Sequence, residues 1–584
     1  MERPVKRQRD LTIPAEVRAV MQKLIAAGFP AYAVGGSVRD ILLGRQPTDW
    51  DVATGAAPEE IQALFPESFY ANKFFTVTVK TGSADETLAE IEVTTFRSEG
   101  RYGDKRHPSE VKPAKTIEED LARRDFTVNA MALMVSEQGT VNSDQNVRLI
   151  DPCGGKRDLD AKLIRAVGDP NERFDEDALR MLRAARFAAE LGFAIERKTR
   201  AAIAAKAGSL RAISKERIRD EFSKVVMADG GDPSGEKPGP EFGMKSDLPG
   251  ERHAGPESAL NRIGASRAPH QIPNQENRGG GDHLAGAPSA AVGSKLALLE
   301  RIGAGQAWRG MEMLHELGLL EHIVPELEEG IGCTQNKHHV YTVWEHNMRS
   351  LDFAATKGWS LAVRIAALFH DIAKPRTKKG EGPDSTFYNH DSVGGRISAA
   401  ILARLRYPQD FTEKIARLVR WHLFRYDYEG DAVETTDSSI RRLIRNVGVE
   451  NIEDLVRVRM CDRIGSGVPK AVPYRLRHFQ FRVEKVLREH EAVKVSMLQI
   501  RGDDIMRILG IEAGPKVGHV LNALLEEVLD DQKKNDRAYL ESRIRELGAL
   551  SDEELVNLRE RVEARVDLLE DQREMAIKQK YRVE

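Results

Sequence analysis

Two carboxylates, Asp49 and Asp51, stand two residues apart in GGSVRDILLGRQPTDWDVAT, on a stretch (49–54) whose residues predict a β-strand. Alternate side chains of a strand face the same way, so both carboxylates would point together. Such a pair repels itself unless cations lie between, and Mg²⁺ favours carboxylate oxygens combined with substrate phosphates. Glu92, in the strand-like AEIEVTTF at 89–96, is placed to add a third carboxylate, although a solvated strand glutamate would look the same. Gly35 and Gly36 lie between the apolar run AYAV at 31–34 and a helical stretch, a turn whose N–H groups can approach phosphate. Arg123, Arg124, Asp125 and Asn129 cluster in EEDLARRDFTVNAMA, which also fits the charged start of a helix. In FDEDALRMLRAARFAAELGF, Asp177 and Arg180 are three apart and would share a helix face, with Arg183 and Arg186 extending the row. An ordinary surface ion pair has the same spacing.

A second set of chemistry-bearing residues lies in VYTVWEHNMRSL, AALFHDIAKPRT, FYNHDSVGGR, VRWHLF and MCDRIGS. His346, His370, Asp371, His390, His422 and Asp462 fall in predicted helices or at their ends. Neutral imidazoles and carboxylates are sound ligands for a divalent metal, and adjacent His-Asp can contribute to one site. A single histidine on an apolar helix is more often a satisfied core residue; six in this arrangement are harder to assign to packing.

The elements that must position these groups differ along the chain. Residues 15–28 carry apolar positions at helical spacing and end in Gly28, and β-rich runs follow at 31–34, 49–54, 74–80 and 89–96, predicting a mixed α/β head. From about 173 to 227 the pattern is helical, with KERIRDEFSKVVM the clearest amphipathic piece; residues 173–224 hold 13 Lys/Arg against 8 Asp/Glu. Residues 229–294 contain 13 Gly and 8 Pro in 66 positions with few large apolar side chains, a composition that predicts a disordered insert or linker. Helical sequence resumes near 295, where AWRGMEMLHELGLLEHIVPEL predicts a helix pair, and residues 551–584 predict one long charged helix, solvated or self-associating.

Together the motifs GGSVRD…DWD, RYGDKRHPSEV, RRDFTVNA and EDALRMLRAARF, in this order and at these spacings, resemble class II tRNA nucleotidyltransferases (CCA-adding enzymes) of the poly(A) polymerase superfamily. The resemblance covers 12–227, and weaker similarity resumes after the insert. It implies that Asp49 and Asp51, with Glu92, serve catalysis by holding two Mg²⁺ ions. It implies further that Gly35, Gly36 and Arg39 cradle a nucleoside triphosphate, with Arg123, Arg124, Asp125 and Asn129 nearby. Asp177 and Arg180, with Arg183 and Arg186, would read the incoming base. Cytosine and adenine both present an exocyclic amine beside an unprotonated ring nitrogen, which an acceptor and a donor can match; uracil and guanine would leave the pair mismatched and desolvated. The stretch between Arg97 and Arg124, with Arg101, Tyr102, Asp104 and Arg106, resembles the flexible loop of full CCA-adders, which disfavours CC-only addition. Complete CCA addition from CTP and ATP is the expectation, with A-only addition or poly(A) synthesis as alternatives.

The LFHDIAK segment and its companions resemble HD-domain metal-dependent phosphohydrolases. On that resemblance His346, His370, Asp371 and Asp462 form a primary metal site, and His390 and His422 bind a second metal or orient phosphate. The reaction would be hydrolysis of a phosphoester or 2′,3′-cyclic phosphate; an HD domain kept as scaffold or RNA-contact module is the other reading. Downstream, Gly514, Pro515 and Gly518 would make a tight turn able to meet RNA phosphate, or a plain helix connection.

The expected fold class is therefore α+β: a nucleotidyltransferase-type head (12–165), a helical neck (166–228), the insert (229–294), a helical body (295–335), an HD domain (336–470) and a helical tRNA-binding tail (471–584). With 584 residues, three to five domains were to be expected at roughly 100–200 residues each. No run of about 18 apolar residues exists to span a membrane, and the basic MERPVKRQRD is followed by no apolar stretch of a secretory signal. Cys153, Cys333 and Cys461 lie too far apart for a disulfide framework or a cysteine zinc site, which points to a reducing cytoplasm. The net charge of −3 argues only weakly against a nucleic-acid partner, because it averages unlike segments. An RNA-binding regulator with an HD nucleotide-sensing domain remains the remote alternative.

Overall fold

A computed structural model of the chain describes residues 11–70, 75–99, 111–135, 147–229, 303–336, 340–426, 435–491 and 498–583. They fall into two compact units, one within 1–333, 351–365 and 400–409, the other within 334–350, 366–399 and 410–584.

The first unit opens with α1 (Ala15–Ala26), whose Val17, Val20, Met21 and Leu24 are buried at helical spacing. Then come β1 (Ala31–Val34), α2 (Gly36–Leu43), β2 (Asp51–Thr54), α3 (Pro58–Leu64), β3 (Ser68–Tyr70), β4 (Thr76–Lys80) and β5 (Glu90–Thr95). A separate hairpin pairs β6 (Arg97–Glu99) with β7 (Val111–Pro113), and α4 (Ile117–Ala122), β8 (Ala132–Val135) and β9 (Val147–Ile150) follow. Seven strands form one sheet in the order β3-β4-β5-β2-β1-β8-β9. Its α4-facing core gathers Val34, Ala53, Phe96, Ile117, Leu121 and Ala132. The β2–β5 pairing is parallel and sets Asp51 opposite Glu92, while β1 runs antiparallel to β2 with Val34 opposite Asp51.

The strand expected over 49–54 begins only at Asp51. Its ladder partner β1 ends at Val34, because the chain leaves the sheet at Gly35 to enter α2, so Asp49 has no register partner there. Asp49 is exposed and Trp50, between the two carboxylates, is buried.

After α5 (Gly155–Asp160) closes the head, the neck comprises α6 (Pro170–Glu176), α7 (Leu179–Leu191), α8 (Arg197–Lys206) and α9 (Lys215–Val226). Asp177 and Arg180 do not share one helix, as the sequence spacing had suggested. Asp177 is extended (φ −148°, ψ 105°) between α6 and α7, and its Oδ1 accepts from the Leu179 N–H at 3.1 Å, a cap for α7. The expected insert lies, beyond Asp229, outside the described residues. After it α10 (Gln306–Glu316) packs on α7 and α9. The approach is close: a Cβ on Gly310 would lie 2.7 Å from Val225 Cγ1 and 3.0 Å from Ala189 Cβ. The helix pair expected here is one full helix, a 3₁₀ turn (Leu320–His322) and a single helical turn (Pro325–Glu328).

The other unit is helical. Its tail packs Gly502–Leu509, Pro515–Asp530 and Arg537–Gly548 around Ile505, Val520, Leu524, Leu540 and Ile544. No tight turn forms at 514–518: Gly514 is extended, Pro515 starts a helix where its missing N–H costs nothing, and Gly518 lies inside it. The last helix, Asp552–Tyr581, starts from a Ser551–Glu554 capping box. It is anchored rather than wholly solvated, with Leu555 in the tail core and Ile577 against Phe481. No helix among the described residues is long and apolar enough to cross a membrane.

Candidate active site and metal centre

The end of the sheet where β1 gives way to α2 opens into a cavity of about 930 Å³. Its wall contains Asp49, Asp51 and Glu92, Gly35, Gly36 and Arg39, Arg123, Arg124, Asp125 and Asn129, and Asp177, Arg180, Arg183 and Arg186. Residues up to 150 positions apart in sequence thus face one space. Asp51 is its most perturbed acid: burial pushes its carboxyl up to about 6, Arg124 opposes, and Glu92 and Asp49 add to the rise. Asp49, Asp51 and Glu92 thus share one wall, and a cation beside them would favour the Asp51 anion, although among the described residues the sets whose ligand atoms lie within 4.8 Å of one another are both in the helical unit.

Gly35 has φ +80°, and a Cβ there would stand 3.0 Å from Arg124 Nη1 and 3.2 Å from Asp51 Oδ2. Its bare Cα therefore separates the basic wall from the acidic one. Arg39 Nη1 donates to Asn129 Oδ1 at 2.9 Å, so Asn129 positions the arginine. Phe187 carries three guanidiniums around its ring, with Arg39, Arg183 and Arg186 at 5.6, 5.2 and 4.1 Å from the centroid.

Several residues missing from the sequence reading hold this wall in place. Asp120, on the buried face of α4, accepts from Arg123 Nη2 at 2.8 Å and Arg124 Nη2 at 3.3 Å. Burial would raise its carboxyl, but Arg123 and Arg124 outweigh it and hold the group below its ordinary value. Its i−3, i−4 spacing to both arginines was a usable signal. Asp125, half-buried, is held low in the same way by Arg183, whose Nε donates to Oδ2 at 2.7 Å. Arg186 is gripped by Glu221, 4% exposed on the apolar stripe of α9, at 2.7 Å. Arg180 pairs with Glu176 at 2.5 Å, and Asp177 with Arg217 at 2.6 Å. Arg217 is 40 positions from its partner, and no local pattern announced it. Arg101, Tyr102, Asp104 and Arg106 lie outside the described residues.

The helical unit holds a second cluster. His346 lies in the helix Val343–Thr356, His370 directly after Leu361–Phe369, His390 at the start of His390–Arg404, His422 directly after Gln409–Trp421, and Asp462 in Ile452–Gly465. The ligand-capable atoms of His346, His370, Asp371 and Asp462 lie within 4.8 Å of one another, as do those of Asp371, His390 and His422. His346 Nε2 is 2.8 Å from His370 Nε2, 3.1 Å from Asp371 Oδ2 and 3.4 Å from Asp462 Oδ1. Asp371 joins the groups, its Oδ1 lying 3.3 Å from His390 Nε2 and 3.7 Å from His422 Nε2.

Three of the histidines are oriented alike. Nδ1 of His370, His390 and His422 sits 2.7, 2.6 and 2.7 Å from the carbonyls of Ala367, Phe387 and Val419. A carbonyl only accepts, so each Nδ1 carries a proton and each Nε2 turns inward, toward the cluster. Nε2 of His390 and of His422 is buried without a hydrogen bond. Burial and the neighbouring His370 push His422 down to about 3, keeping it neutral. His370 moves the other way: burial opposes its charge, but Asp371 and Asp462 carry it up to about 10, so a proton there balances the carboxylates. The set fits divalent metal, which would take over that balancing charge.

Both regions of the chain match known families. Residues 31–165 match the poly A polymerase head domain, 192–234 the probable RNA and SrmB-binding site of polymerase A, and 343–463 the HD domain. The chain carries a head of the poly A polymerase type, the segment that matches the second polymerase A model, and an HD domain, in an α+β architecture with a helical C-terminal region. Among curated proteins it is similar to CCA-adding enzymes: 46% identical over 208 residues to that of Listeria monocytogenes (35% of this chain, 49% of that one), and 40% identical over 270 residues to that of Geobacillus stearothermophilus (45% and 60%). The chain thus spans about half the length of the curated relatives it matches. A solved Bacillus stearothermophilus CCA-adding enzyme in complex with CTP aligns at 23% identity over 92% of this chain and 98% of that one, with a TM-score of 0.49.

Proposed function

We propose that the chain is a template-independent tRNA nucleotidyltransferase that adds or repairs the 3′-terminal CCA of tRNA from CTP and ATP in the cytoplasm. The observation that carries this reading is the single cavity uniting Asp49, Asp51 and Glu92 with an arginine wall and with Asp177 and Arg180. Mg²⁺ at the three acids would lower the pKa of the RNA 3′-hydroxyl and neutralise the departing pyrophosphate. Arg124 stands at the open face of Gly35 and Arg39 at that of Gly36, and the two bind the triphosphate with Arg123 beside them. Asp177 accepts from the exocyclic amine of cytosine or adenine, and Arg180 donates to the adjacent ring nitrogen. Arg217 and Glu176 hold these two side chains, so little rotamer freedom is lost when the base arrives.

The HD centre adds a metal-dependent phosphohydrolase to the reading. Its bound divalent cation would activate water for attack on phosphorus. His390 and His422 orient the phosphate, the P–O ester bond breaks, and the leaving oxygen takes up a proton.

One experiment tests both parts. tRNAs lacking their last one, two or three nucleotides are incubated with CTP and ATP and the products sequenced. Wild type restores CCA; products carrying only A, or an A tail, assign the alternatives. Asp51→Asn abolishes incorporation while Asp371→Asn spares it and loses bound metal instead. Turnover surviving in Asp51→Asn rejects the proposal. In chelator, Asp51→Asn is also at least as stable as wild type above pH 6. Its folded pKa is raised from 3.8 to about 6, so ionisation costs the folded state stability as pH rises through that window, and the amide removes the cost.

A further inference from the structure

A second cavity, of about 480 Å³, opens in the helical unit beside the HD centre. Phe424, Arg425, Tyr426, Arg459, Arg463 and Arg475 line it among the described residues. Two of its walls grow from segments that carry metal-ligating groups. Phe424 and Tyr426 follow His422 at the end of one helix, and Arg459 and Arg463 flank Asp462 in Ile452–Gly465.

Asp462 belongs to both places. Its Oδ1 lies 3.4 Å from His346 Nε2 and 3.7 Å from His370 Nε2, while its Oδ2 accepts from Arg459 Nη1 at 2.6 Å. The cavity wall and the metal cluster are therefore separated by one carboxylate. Tyr426 is fixed from two sides: Arg463 Nη1 donates to its hydroxyl at 3.2 Å, and the Arg459 guanidinium lies 5.4 Å from its ring centroid. Phe424, nearly buried, sits 5.9 Å from that ring.

Four guanidiniums around one cavity favour a phosphorylated ligand, since the planar fork matches phosphate oxygens. Aromatic rings beside them offer a stacking surface for a base. The volume suits one nucleotide rather than a duplex.

We propose that this cavity seats the nucleotide whose phosphate enters the HD centre, binding a ribose-phosphorylated terminal nucleotide through Arg463 and Arg475, with Tyr426 against the base. The proposal rests on reading the cluster as a phosphohydrolase centre, but the binding it predicts does not require turnover. Equilibrium binding of adenosine 3′-monophosphate and of a 3′-phosphorylated oligoribonucleotide is measured on the full chain, in Asp371→Asn and with chelator present, so no hydrolysis intervenes. Arg463→Gln and Arg475→Gln each weaken binding about tenfold or more, whereas Arg124→Ala in the head cavity leaves the HD-site component intact. Retention of the mononucleotide identifies a free nucleotide as the source; retention of the oligonucleotide alone identifies an RNA end. Melting temperature reports whether each variant folds. As a readout independent of variants, 8-azidoadenosine 3′-monophosphate crosslinks to wild type and labels peptides containing 424–426 or 459–475. Binding lost with Arg124→Ala but kept in both Gln variants, or crosslinks confined to the head, overturns the proposal. If binding follows the arginines but wild type never hydrolyses either probe, the phosphohydrolase reading fails and the cavity assignment stands.

Discussion

Replacing Gly35 by alanine separates backbone geometry from charge in the head cavity. Gly35 adopts φ +80°, ψ −134°, a region nearly closed to residues with a Cβ. The strain alone is worth about 1–3 kcal/mol. The added methyl would also meet Arg124 Nη1 at 3.0 Å and Asp51 Oδ2 at 3.2 Å. Arg124 can swing aside, but only by loosening its 3.4 Å contact with the Asn129 carbonyl. If the backbone keeps its shape, the cost appears as lost stability, roughly 2–12 °C in Tm for a domain of this size. If the loop relaxes instead, the triphosphate cradle moves and kcat/KM for CTP and ATP falls about 5- to 150-fold. Gly36→Ala is the control: its Cβ would find nothing nearer than Arg39 Nη2 at 3.6 Å, an ordinary contact, and it begins a helix that tolerates alanine. Differential scanning fluorimetry and single-nucleotide incorporation are run on both variants. The reasoning is wrong if Gly35→Ala keeps wild-type Tm and kcat/KM within about twofold, or if Gly36→Ala loses more stability.

Two further outcomes follow from the packing. Asp120→Ala leaves the guanidiniums of Arg123 and Arg124 without their shared buried carboxylate and destabilises the head by about 3–5 kcal/mol in urea unfolding. Because the two arginines hold the Asp120 carboxyl below its usual value of 3.8, its contribution is complete above that pH and is lost as the pH falls further, so the gap to Asp120→Asn closes only in strong acid; a gap already closed at pH 5 counts against it. Replacing residues 230–302 by a short flexible linker preserves both melting temperature and incorporation. The flanking chain is held at both ends, since the Gln306 side-chain amide reaches the Asp229 carbonyl at 2.5 Å and Arg364 pairs with Asp229 Oδ1 at 2.7 Å; loss of α10 packing, read as a collapse in Tm, would refute this.

Much of the chemistry was legible because it is carried by residue type at short spacing. Asp49 with Asp51, the Gly35–Gly36 turn, the arginines of α7 and the ordered His and Asp residues of the helical unit all stand out in the chain itself. Strand alternation likewise announced β5, where Glu90 and Glu92 face out and Ile91 and Val93 face in. Boundaries were less secure where a partner decides them. β2 begins at Asp51 because β1 ends at Val34, a fact written 17 positions away.

Beyond pairs within a helical turn, such as Asp120 with Arg123 and Arg124, partner choice was not legible in the sequence. Asp177 and Arg180 looked like a pair, yet Asp177 bonds Arg217 and Arg180 bonds Glu176, because the chain breaks between α6 and α7 and turns the two side chains to different neighbours. Arg39 meets Asn129 across 90 positions, and Asp462 turns one oxygen to the histidines and the other to Arg459. The sequence alone determined which acids, bases and candidate metal ligands this protein owns and in what order. Only the tertiary structure decided which of them touch, because an ion pair or a ligand set depends on distances of a few ångströms, and no periodicity along the chain encodes a distance between segments a hundred residues apart.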